Sequence, residues 1–272
     1  MIYIGLPQWS HPKWVRLGIQ NLEDYARHFN CVEGNTTLYA LPGAEIVARW
    51  RAMTGDDFRF CFKFPATISH QAGLRQCDAL VSEFFNRMAP LEARIGQYWL
   101  QLPAVFGPDN LETLWQFLDA LPQGFSYGVE VRHPQFFAKG SQEQALNRGL
   151  HQRGVNRAIL DSRPVHAAMP HSEAVREAQR KKPRVPVHAL RTADKPLVRF
   201  IGGDNLEQNQ QLFQPWLDKL AHWQQESTPF LFLHTPDIAL APELAHRLWP
   251  LLRQRFPAIG EAPAIPQQES LF

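Results

Sequence analysis

Seven ionisable residues stand at or just beyond short apolar segments, where parallel strands would present side chains at a common edge. They are Glu33, Lys63, Glu130, Arg132, Asp161, Arg199 and His234. The planar fork of an arginine matches a phosphate or carboxylate with two hydrogen bonds, and a lysine adds a point charge. A carboxyl group beside them could move a proton. These residue types predict an anion-binding pocket with Glu33, Glu130 and Asp161 as catalytic candidates. Ion pairs that only close the end of the fold are the alternative.

A glycine-rich turn adds to the predicted anion site. Gly202-Gly203-Asp204-Asn205 follows an apolar segment and precedes a segment with helical spacing. Backbone N–H groups at the start of a helix attract phosphate, so Gly202 and Gly203 are candidate ligand-binding residues beside Arg199. A tight turn whose Asp or Asn caps the helix explains the same residues without a ligand.

Eight short apolar segments alternate with segments that have helical spacing. The predicted strands are residues 2–5, 31–34, 58–64, 97–102, 126–131, 156–161, 197–201 and 230–235. Continuous apolar runs are typical of parallel strands that are buried on both faces. Eight strand–helix units in residues 1–256 predict a single α/β domain, a closed (β/α)8 TIM-like barrel. No Gly-x-Gly-x-x-Gly follows the first strand, which argues against a dinucleotide-binding fold.

Two stretches interrupt this repeat. Residues 162–195, between the sixth and seventh strands, hold eight basic residues against three acidic ones, a net charge of +5. Residues 257–272 contain three prolines and predict a flexible C-terminal tail. Active sites of such barrels lie at the C-terminal ends of the strands. We therefore expect the seven ionisable residues to converge there and the basic insert to border them.

Composition limits the function classes. A net charge of +2 makes no general case for nucleic acid, and three cysteines without zinc spacing suit a reducing cytosol. No signal peptide and no apolar stretch of membrane-spanning length are visible, so we expect a cytoplasmic protein without membrane contact. Walker, zinc-helix and nucleophile-elbow motifs are absent. We therefore expect no cofactor and no metal motif, although ligands from separate strands leave a metal site open.

Five motifs in order resemble the YecE-like family, a TIM-barrel domain of unknown function. They are Glu33-Gly34-Asn35-Thr36-Thr37-Leu38-Tyr39, Phe62-Lys63-Phe64-Pro65 with Ile68-Ser69-His70, Leu100-Gln101-Leu102-Pro103, Glu130-Val131-Arg132-His133 and Val198-Arg199-Phe200. The resemblance extends from Ile4 to about Phe256. It implies the barrel and the place of the site, and it adds Asn35 and His70 to the ligand-binding candidates. His234-Thr235-Pro236 departs from the paired asparagines that relatives often carry after the eighth strand.

The last five residues, Gln268-Glu269-Ser270-Leu271-Phe272, resemble the peptide by which bacterial proteins bind the DNA polymerase sliding clamp. That peptide has Gln, a variable residue, Ser or Asp, Leu and Phe. An extended tail behind prolines could reach a groove on a partner. Gln268, Ser270, Leu271 and Phe272 are therefore partner-binding candidates. Packing of Leu271 and Phe272 back onto the barrel is the alternative.

Three functions fit these residues. The first is a clamp-tethered protein that binds or processes a phosphate-bearing ligand, nucleic acid included, at the barrel mouth. The second is a small-molecule enzyme, with hydrolysis as the reaction considered, for a phosphorylated or carboxylated metabolite. The third is a clamp-bound adaptor without catalysis. A basic stripe across the mouth would favour nucleic acid, whereas a narrow pocket would favour a metabolite.

Overall fold

Parallel strands and the helices between them form a nearly closed barrel in the computed structural model, which describes residues 1–262. The strands are β1 (Tyr3–Leu6), β2 (Cys31–Gly34), β3 (Arg59–Lys63), β4 (Ile95–Gln101), β5 (Tyr127–Glu130), β6 (Asn156–Arg157), β7 (Ile159–Asp161), β8 (Leu197–Ile201) and β9 (Phe230–His234). The α-helices are α1 (Leu22–Ala26), α2 (Thr36–Tyr39), α3 (Ala44–Ala52), α4 (Asp78–Met88), α5 (Leu111–Asp119), α6 (Ser141–Gln152), α7 (Arg163–Ala167), α8 (Glu173–Lys181), α9 (Leu206–Gln224) and α10 (Ala241–Arg255). The order in the sheet is β6-β5-β4-β3-β2-β1-β9-β8-β7 with parallel pairing, which confirms the predicted α/β TIM-like fold.

The sixth predicted strand is divided into two segments. β6 pairs with β5, and β7 pairs with β8, so the two segments face opposite neighbours. Only Ala158 separates them, and its N–H still donates to the carbonyl of Val129 at 2.9 Å. The chain itself therefore closes the ring here, and nine strand segments occupy the eight positions that the sequence predicts.

Side chains inside the barrel form two layers. The lower layer is an apolar cluster drawn from several strands: Tyr3, Cys31, Cys61, Trp99, Ala158, Leu197, Phe230 and Phe232. Because side chains alternate along a strand, the residue two positions further on faces the interior as well. That step places Glu33, Lys63 and Arg199 in an upper, polar layer at the C-terminal ends of the strands. The outer faces of the strands pack against the helices in the main core.

The basic insert folds over the mouth of the barrel as α7 and α8. Ser172 begins α8 by accepting a hydrogen bond from the backbone N–H of Val175 at 3.2 Å. Further along, the Nδ1 atom of His188 lies 2.5 Å from Oε1 of Glu143, a residue of α6. These contacts make the insert a structured wall that is anchored to the barrel.

The last described residues continue from α10. The indole N–H of Trp249 donates to the carbonyl of Gly260 at 3.1 Å. The predicted start of a tail at residue 257 stays a prediction. Residues outside the described range are 263–272, which include the clamp-binding candidates Gln268, Ser270, Leu271 and Phe272. Among the helices of residues 1–262, none is long and apolar enough to cross a membrane.

Candidate functional site

The site is built around Arg199 of β8, which reaches carboxylates on two other strands. Its Nε and Nη2 atoms donate to Oε2 and Oε1 of Glu33, both at 2.9 Å. Its Nη1 atom donates to Oε2 of Glu130 at 2.6 Å. All three side chains are buried. Buried charges persist when they are paired and hydrogen-bonded, and this arginine satisfies two carboxylates at once. It thereby joins β2, β5 and β8 through the interior of the barrel.

Two more cations flank this ion pair. Arg132 follows β5 and donates to Oε1 of Glu130 from Nε at 2.9 Å and from Nη2 at 2.8 Å. Lys63 ends β3, where its Nζ atom donates to Oε1 of Gln101 at 2.8 Å. The same Nζ atom lies 3.7 Å from Oε1 of Glu33. Three cations therefore share two carboxylates, which leaves an excess of positive charge.

An indole ring lies beneath two of these cations. The Nζ atom of Lys63 is 4.7 Å, and the Cζ atom of Arg199 5.1 Å, from the centroid of the Trp99 ring. Such cation–π contacts are favourable, most of all where water is excluded. The indole Nε1 atom is buried and has no hydrogen-bond partner among residues 1–262. Gln101 belongs to one of the sequence motifs. Trp99, two positions earlier on β4, is not among the predicted site residues. Alternation along that strand is the signal that could have found it.

His234, at the end of β9, completes the polar layer. Its Nε2 atom lies 2.9 Å from Oε2 of Glu33. Burial lowers the pKa of His234 to about 4, against the opposing effect of Glu33. The imidazole is therefore neutral near pH 7. Since an ionised carboxylate can only accept hydrogen bonds, we assign the ring proton to Nε2.

The two carboxylates of the site are ionised. Burial by itself raises the pKa of Glu33, but Arg199 and His234 outweigh that effect and hold this pKa well below its usual range. Burial likewise raises the pKa of Glu130, but the charges of Arg199 and Arg132 lower it by more than burial raises it, to about 2. Within the described chain, no group of three or more His, Cys, Asp or Glu side chains could hold a metal ion.

At two lysines of the mouth the surroundings favour the uncharged form instead. Burial and then the charge of Arg199 lower the pKa of Lys63 well below the usual value for lysine. The same two causes lower the pKa of Lys182, at the end of α8, to about 8. Both ammonium groups are destabilised because positive charges are crowded in a poorly solvated space. A bound anion would relieve that crowding.

A cavity of about 520 Å³ opens above the cations. The lysine, arginine, histidine and glutamate side chains that line it are Lys63, Arg132, Glu177, Lys181, Lys182, Arg199 and His234. Glu33 and Glu130 lie beneath the cations and are not part of its lining. Glu177 is paired with Lys181 on α8. The surface that the cavity presents to a ligand is therefore positive, and the basic insert supplies one of its walls.

The structure does not bring Asp161 into this cluster, so the expected convergence is wrong for that residue. Its carboxylate accepts hydrogen bonds from Nε of Arg163 at 2.9 Å and from Nη2 at 2.7 Å. It also accepts one from the indole N–H of Trp216, in α9, at 2.8 Å. Because Ala158 faces the barrel interior, alternation turns Ile159 and Asp161 towards the helices.

The Gly202-Gly203 turn does not offer its amides to a phosphate, so this prediction is also wrong. The N–H of Gly202 donates to the carbonyl of His234 at 2.9 Å, and that of Gly203 donates to Oδ1 of Asn209 at 2.7 Å. Asn205 begins α9, and its side chain accepts from the backbone N–H three residues later at 2.9 Å. These residues therefore form a tight turn with Asn205 as the helix cap, which is the alternative that needs no ligand.

Two candidates that the family resemblance supplied lie near the mouth. Asn35 lines the cavity, and its Nδ2 atom donates to the carbonyl of Pro7 at 2.8 Å. His70 lies in a single π-helical turn, Thr67–Gln71, and its Nδ1 atom is 2.8 Å from Oγ of Ser69. His70 is exposed and is not part of the cavity lining. The ring is nevertheless partly desolvated, and this desolvation, followed by the charges of Arg132 and Lys63, lowers its pKa.

Comparison with known proteins finds relatives over the whole chain. The sequence profile of the family described as "Protein of unknown function DUF72" matches residues 3–270. Two curated sequences, named UPF0759 protein YecE and coming from Escherichia coli strain K12 and Escherichia coli O157:H7, are each 75% identical to this chain. Each match covers 272 residues, which is 100% of both sequences.

Solved structures share the fold. A DUF72 family protein from Enterococcus faecalis V583 matches with a TM-score of 0.71 over 99% of this chain and 100% of that one, at 17% identity. A DUF72 family protein from Thermotoga maritima MSB8 matches with a TM-score of 0.66 over 94% and 99%, at 16% identity. At these identities the similarity concerns the barrel architecture.

Proposed function

The chain belongs to the DUF72 family, and we propose that it binds a small phosphate- or carboxylate-bearing ligand in the cavity at its barrel mouth. One observation carries the proposal: the cations line the cavity, whereas the carboxylates that hold them lie beneath. Ion pairs that served only to close the fold would leave no excess charge facing an open space. The volume of about 520 Å³ is in the range of small-ligand sites.

Unused N–H groups indicate how an anion would be held. An arginine carries five N–H groups. Arg199 uses three of them on Glu33 and Glu130, and Arg132 uses two on Glu130. The Nη1 atom of Arg132 has no hydrogen-bond partner among residues 1–262. Two guanidinium groups with free donors, and the Nζ atom of Lys63 beside them, suit the oxygens of a phosphate or carboxylate.

The arrangement favours binding over hydrolysis by the predicted carboxylates. A general acid needs a pKa close to the working pH, and a glycosidase needs two carboxyl groups that reach the substrate. Glu33 and Glu130 are ionised, held by arginines and absent from the cavity surface. We therefore assign them the role of positioning the cations.

A polynucleotide is a poorer match than a small ligand. Lys63 is 3% exposed and Arg199 1%, so these cations can be reached only by a group that enters the cavity. The phosphates of a nucleic acid lie on its outside and contact cations that are exposed on a protein surface. At this mouth such a cation is Lys181 of α8, which is 69% exposed and paired with Glu177.

Calorimetric titration of the full-length protein with inorganic phosphate tests the proposal. We expect saturable binding, which Arg132→Gln should weaken at least about tenfold, because a hydrogen bond to a charged group contributes about 1.5–3 kcal/mol. Arg27→Gln is the matched control. Arg27 follows α1 and forms an exposed ion pair with Glu23, so this variant should bind as the wild type does.

Oxalate and a single-stranded oligonucleotide serve as further titrants. Oxalate tests a carboxylate ligand in the same site. Oligonucleotide binding that is tighter than phosphate binding, falls steeply with salt and is lost in Arg132→Gln would favour nucleic acid instead. If the wild type binds neither phosphate nor oxalate, the proposal fails.

A second proposal concerns the C-terminal sequence. Gln268, Ser270, Leu271 and Phe272 stand at the positions that the clamp-binding peptide requires, and this match supports binding to the bacterial sliding clamp. Such a peptide would place its Leu and Phe side chains in an apolar groove of the partner. The barrel would then be attached to the clamp whichever ligand its cavity takes.

A further inference from the structure

Lys63 differs from the other cations of the cavity in its surroundings. Its side chain is 4% exposed, and its Nζ atom lies 4.7 Å from the centroid of the Trp99 ring. The guanidinium of Arg199 lies over the same ring at 5.1 Å. Burial and a neighbouring cation both disfavour the ammonium form. The same two conditions turn a lysine into a nucleophile.

The contacts of Nζ leave it able to react. Within residues 1–262 it donates one hydrogen bond, to Oε1 of Gln101 at 2.8 Å. The nearest oxygen of Glu33 is 3.7 Å away, which is too long for a hydrogen bond, because both oxygens of that carboxylate are bound to Arg199. The side chain of Lys63 also lines the cavity. A ligand in the cavity can therefore contact the Lys63 amine, whose hydrogen-bond partner is the side-chain amide of Gln101.

We infer that Lys63 forms an imine with a small aldehyde or ketone that carries a carboxylate or phosphate group. This inference rests on the proposed function, because the arginines must hold the anionic group while the carbonyl carbon meets Nζ. The uncharged amine adds to the carbonyl carbon, and the resulting carbinolamine loses its hydroxyl group as water. The two hydrogens that leave the nitrogen balance that water, and no oxidant or reductant takes part.

Other lysines at the mouth are placed differently. Lys181 is paired with Glu177 on α8, and Lys182, although burial and Arg199 lower its pKa as well, lies on the connecting segment after that helix. Lys63 belongs to a barrel strand, so the sheet fixes its position relative to Arg199. A reacting group held on a strand is placed more accurately than one on a connecting segment.

Reductive trapping of the full-length protein tests the inference. The protein is incubated with pyruvate and cyanoborohydride, which reduces an imine to a stable secondary amine, and its peptides are then analysed by mass spectrometry. We expect one reduced pyruvyl group per chain, on Lys63. Acetone, a ketone of similar size without the carboxylate, should label Lys63 at least about tenfold less. Glycolaldehyde phosphate replaces pyruvate in a parallel arm, and the compound trapped more efficiently identifies the preferred anionic group.

Two variants serve as controls for the trapping. Lys63→Arg keeps a long basic side chain but removes the nucleophilic amine, and it should lose the label. Lys219→Arg, a matched change on α9, should keep the label on Lys63. Should Lys63→Arg fail to fold, the position of the label in the wild type remains decisive.

Equal labelling by pyruvate and acetone, or label spread evenly over Lys13 and Lys219, would overturn the inference. Phosphate binding without label on Lys63 refutes the imine alone, whereas absence of phosphate and oxalate binding refutes the proposed function.

Discussion

Glu33 and Arg199 are 166 positions apart in the chain, and they form a bidentate ion pair inside the barrel with both nitrogen–oxygen distances at 2.9 Å. The same carboxylate accepts a hydrogen bond from His234 at 2.9 Å and lies 3.7 Å from Nζ of Lys63. One side chain thus holds together groups from β3, β8 and β9. Without its charge, Arg199 and Lys63 would face each other with less compensation.

Replacement of this carboxylate should be costly. We expect Glu33→Gln to lower the free energy of unfolding by about 3–5 kcal/mol, because it removes one partner of a buried ion pair. Urea unfolding followed by tryptophan fluorescence measures the change. Glu23→Gln, which removes the carboxylate of the exposed pair with Arg27, should cost less than about 1 kcal/mol. Equal losses in the two variants would contradict the role given to Glu33.

Side-chain alternation explains how much of this cluster the sequence could predict. Successive apolar segments predicted the barrel and therefore the common edge at which Glu33, Lys63 and Arg199 meet. A parallel strand that is buried on both faces has no polar alternation, so its hydrophobic pattern alone does not show which residues face the barrel interior. Asp161 also ends a strand, yet it faces the helices and binds Trp216.

Contacts that the folded chain creates explain the other places where the structure departs from the sequence predictions. The glycine pair after β8 has the composition of a phosphate-binding turn. Its amides are occupied because Asn209 lies buried in α9 with its oxygen 2.7 Å from the Gly203 nitrogen. No spacing rule indicates such a contact. The place of Trp99 beneath the cations is equally a product of the closed barrel, since Arg199 reaches that ring from β8, which is not a neighbour of β4.

Stability should fall in mild acid because of His234. Its pKa is about 4 in the folded protein and near 6.5 in the unfolded chain. Between these values the unfolded chain binds a proton at this histidine that the folded protein does not. The free energy of unfolding is therefore undiminished by His234 above pH 6.5 and declines as the pH falls towards 4. The loss should be on the order of 3 kcal/mol.

Urea unfolding at pH 7, 6 and 5 measures this decline in stability. The decline should be smaller in His234→Asn than in the wild type. It should equal that of the wild type in His222→Asn, which alters an exposed histidine of α9. A decline of the same size in all three proteins would rule out His234 as its cause.

Anion affinity should decrease in alkali because of Lys182. Its pKa of about 8 means that the ammonium is charged below pH 8 and is lost above it, and a bound anion favours the charged form. Calorimetry with sulfate, whose own charge is constant over this range, should show affinity falling by up to about tenfold per pH unit above pH 8. Lys182→Gln should bind sulfate more weakly at pH 7 and with a smaller dependence on pH. Wild-type affinity that is constant from pH 7 to pH 9 would show that Lys182 does not contact the anion.

The C-terminal sequence should act independently of the barrel. A peptide of about ten C-terminal residues should bind the bacterial sliding clamp nearly as well as the whole protein does, since the contacts are those of an extended peptide in a groove. Leu271 and Phe272 could each contribute about 1.5–3 kcal/mol on burial, and ordering the chain offsets part of that gain. The expected dissociation constant is therefore on the order of micromolar. Fluorescence anisotropy with a labelled peptide measures it. Deletion of Leu271 and Phe272 should abolish clamp binding. If the two side chains bind the clamp rather than the barrel, as proposed, the deletion should leave both the melting temperature and phosphate binding unchanged. A lower melting temperature on deletion, together with no clamp binding by the intact chain, would show instead that the two side chains pack against the barrel.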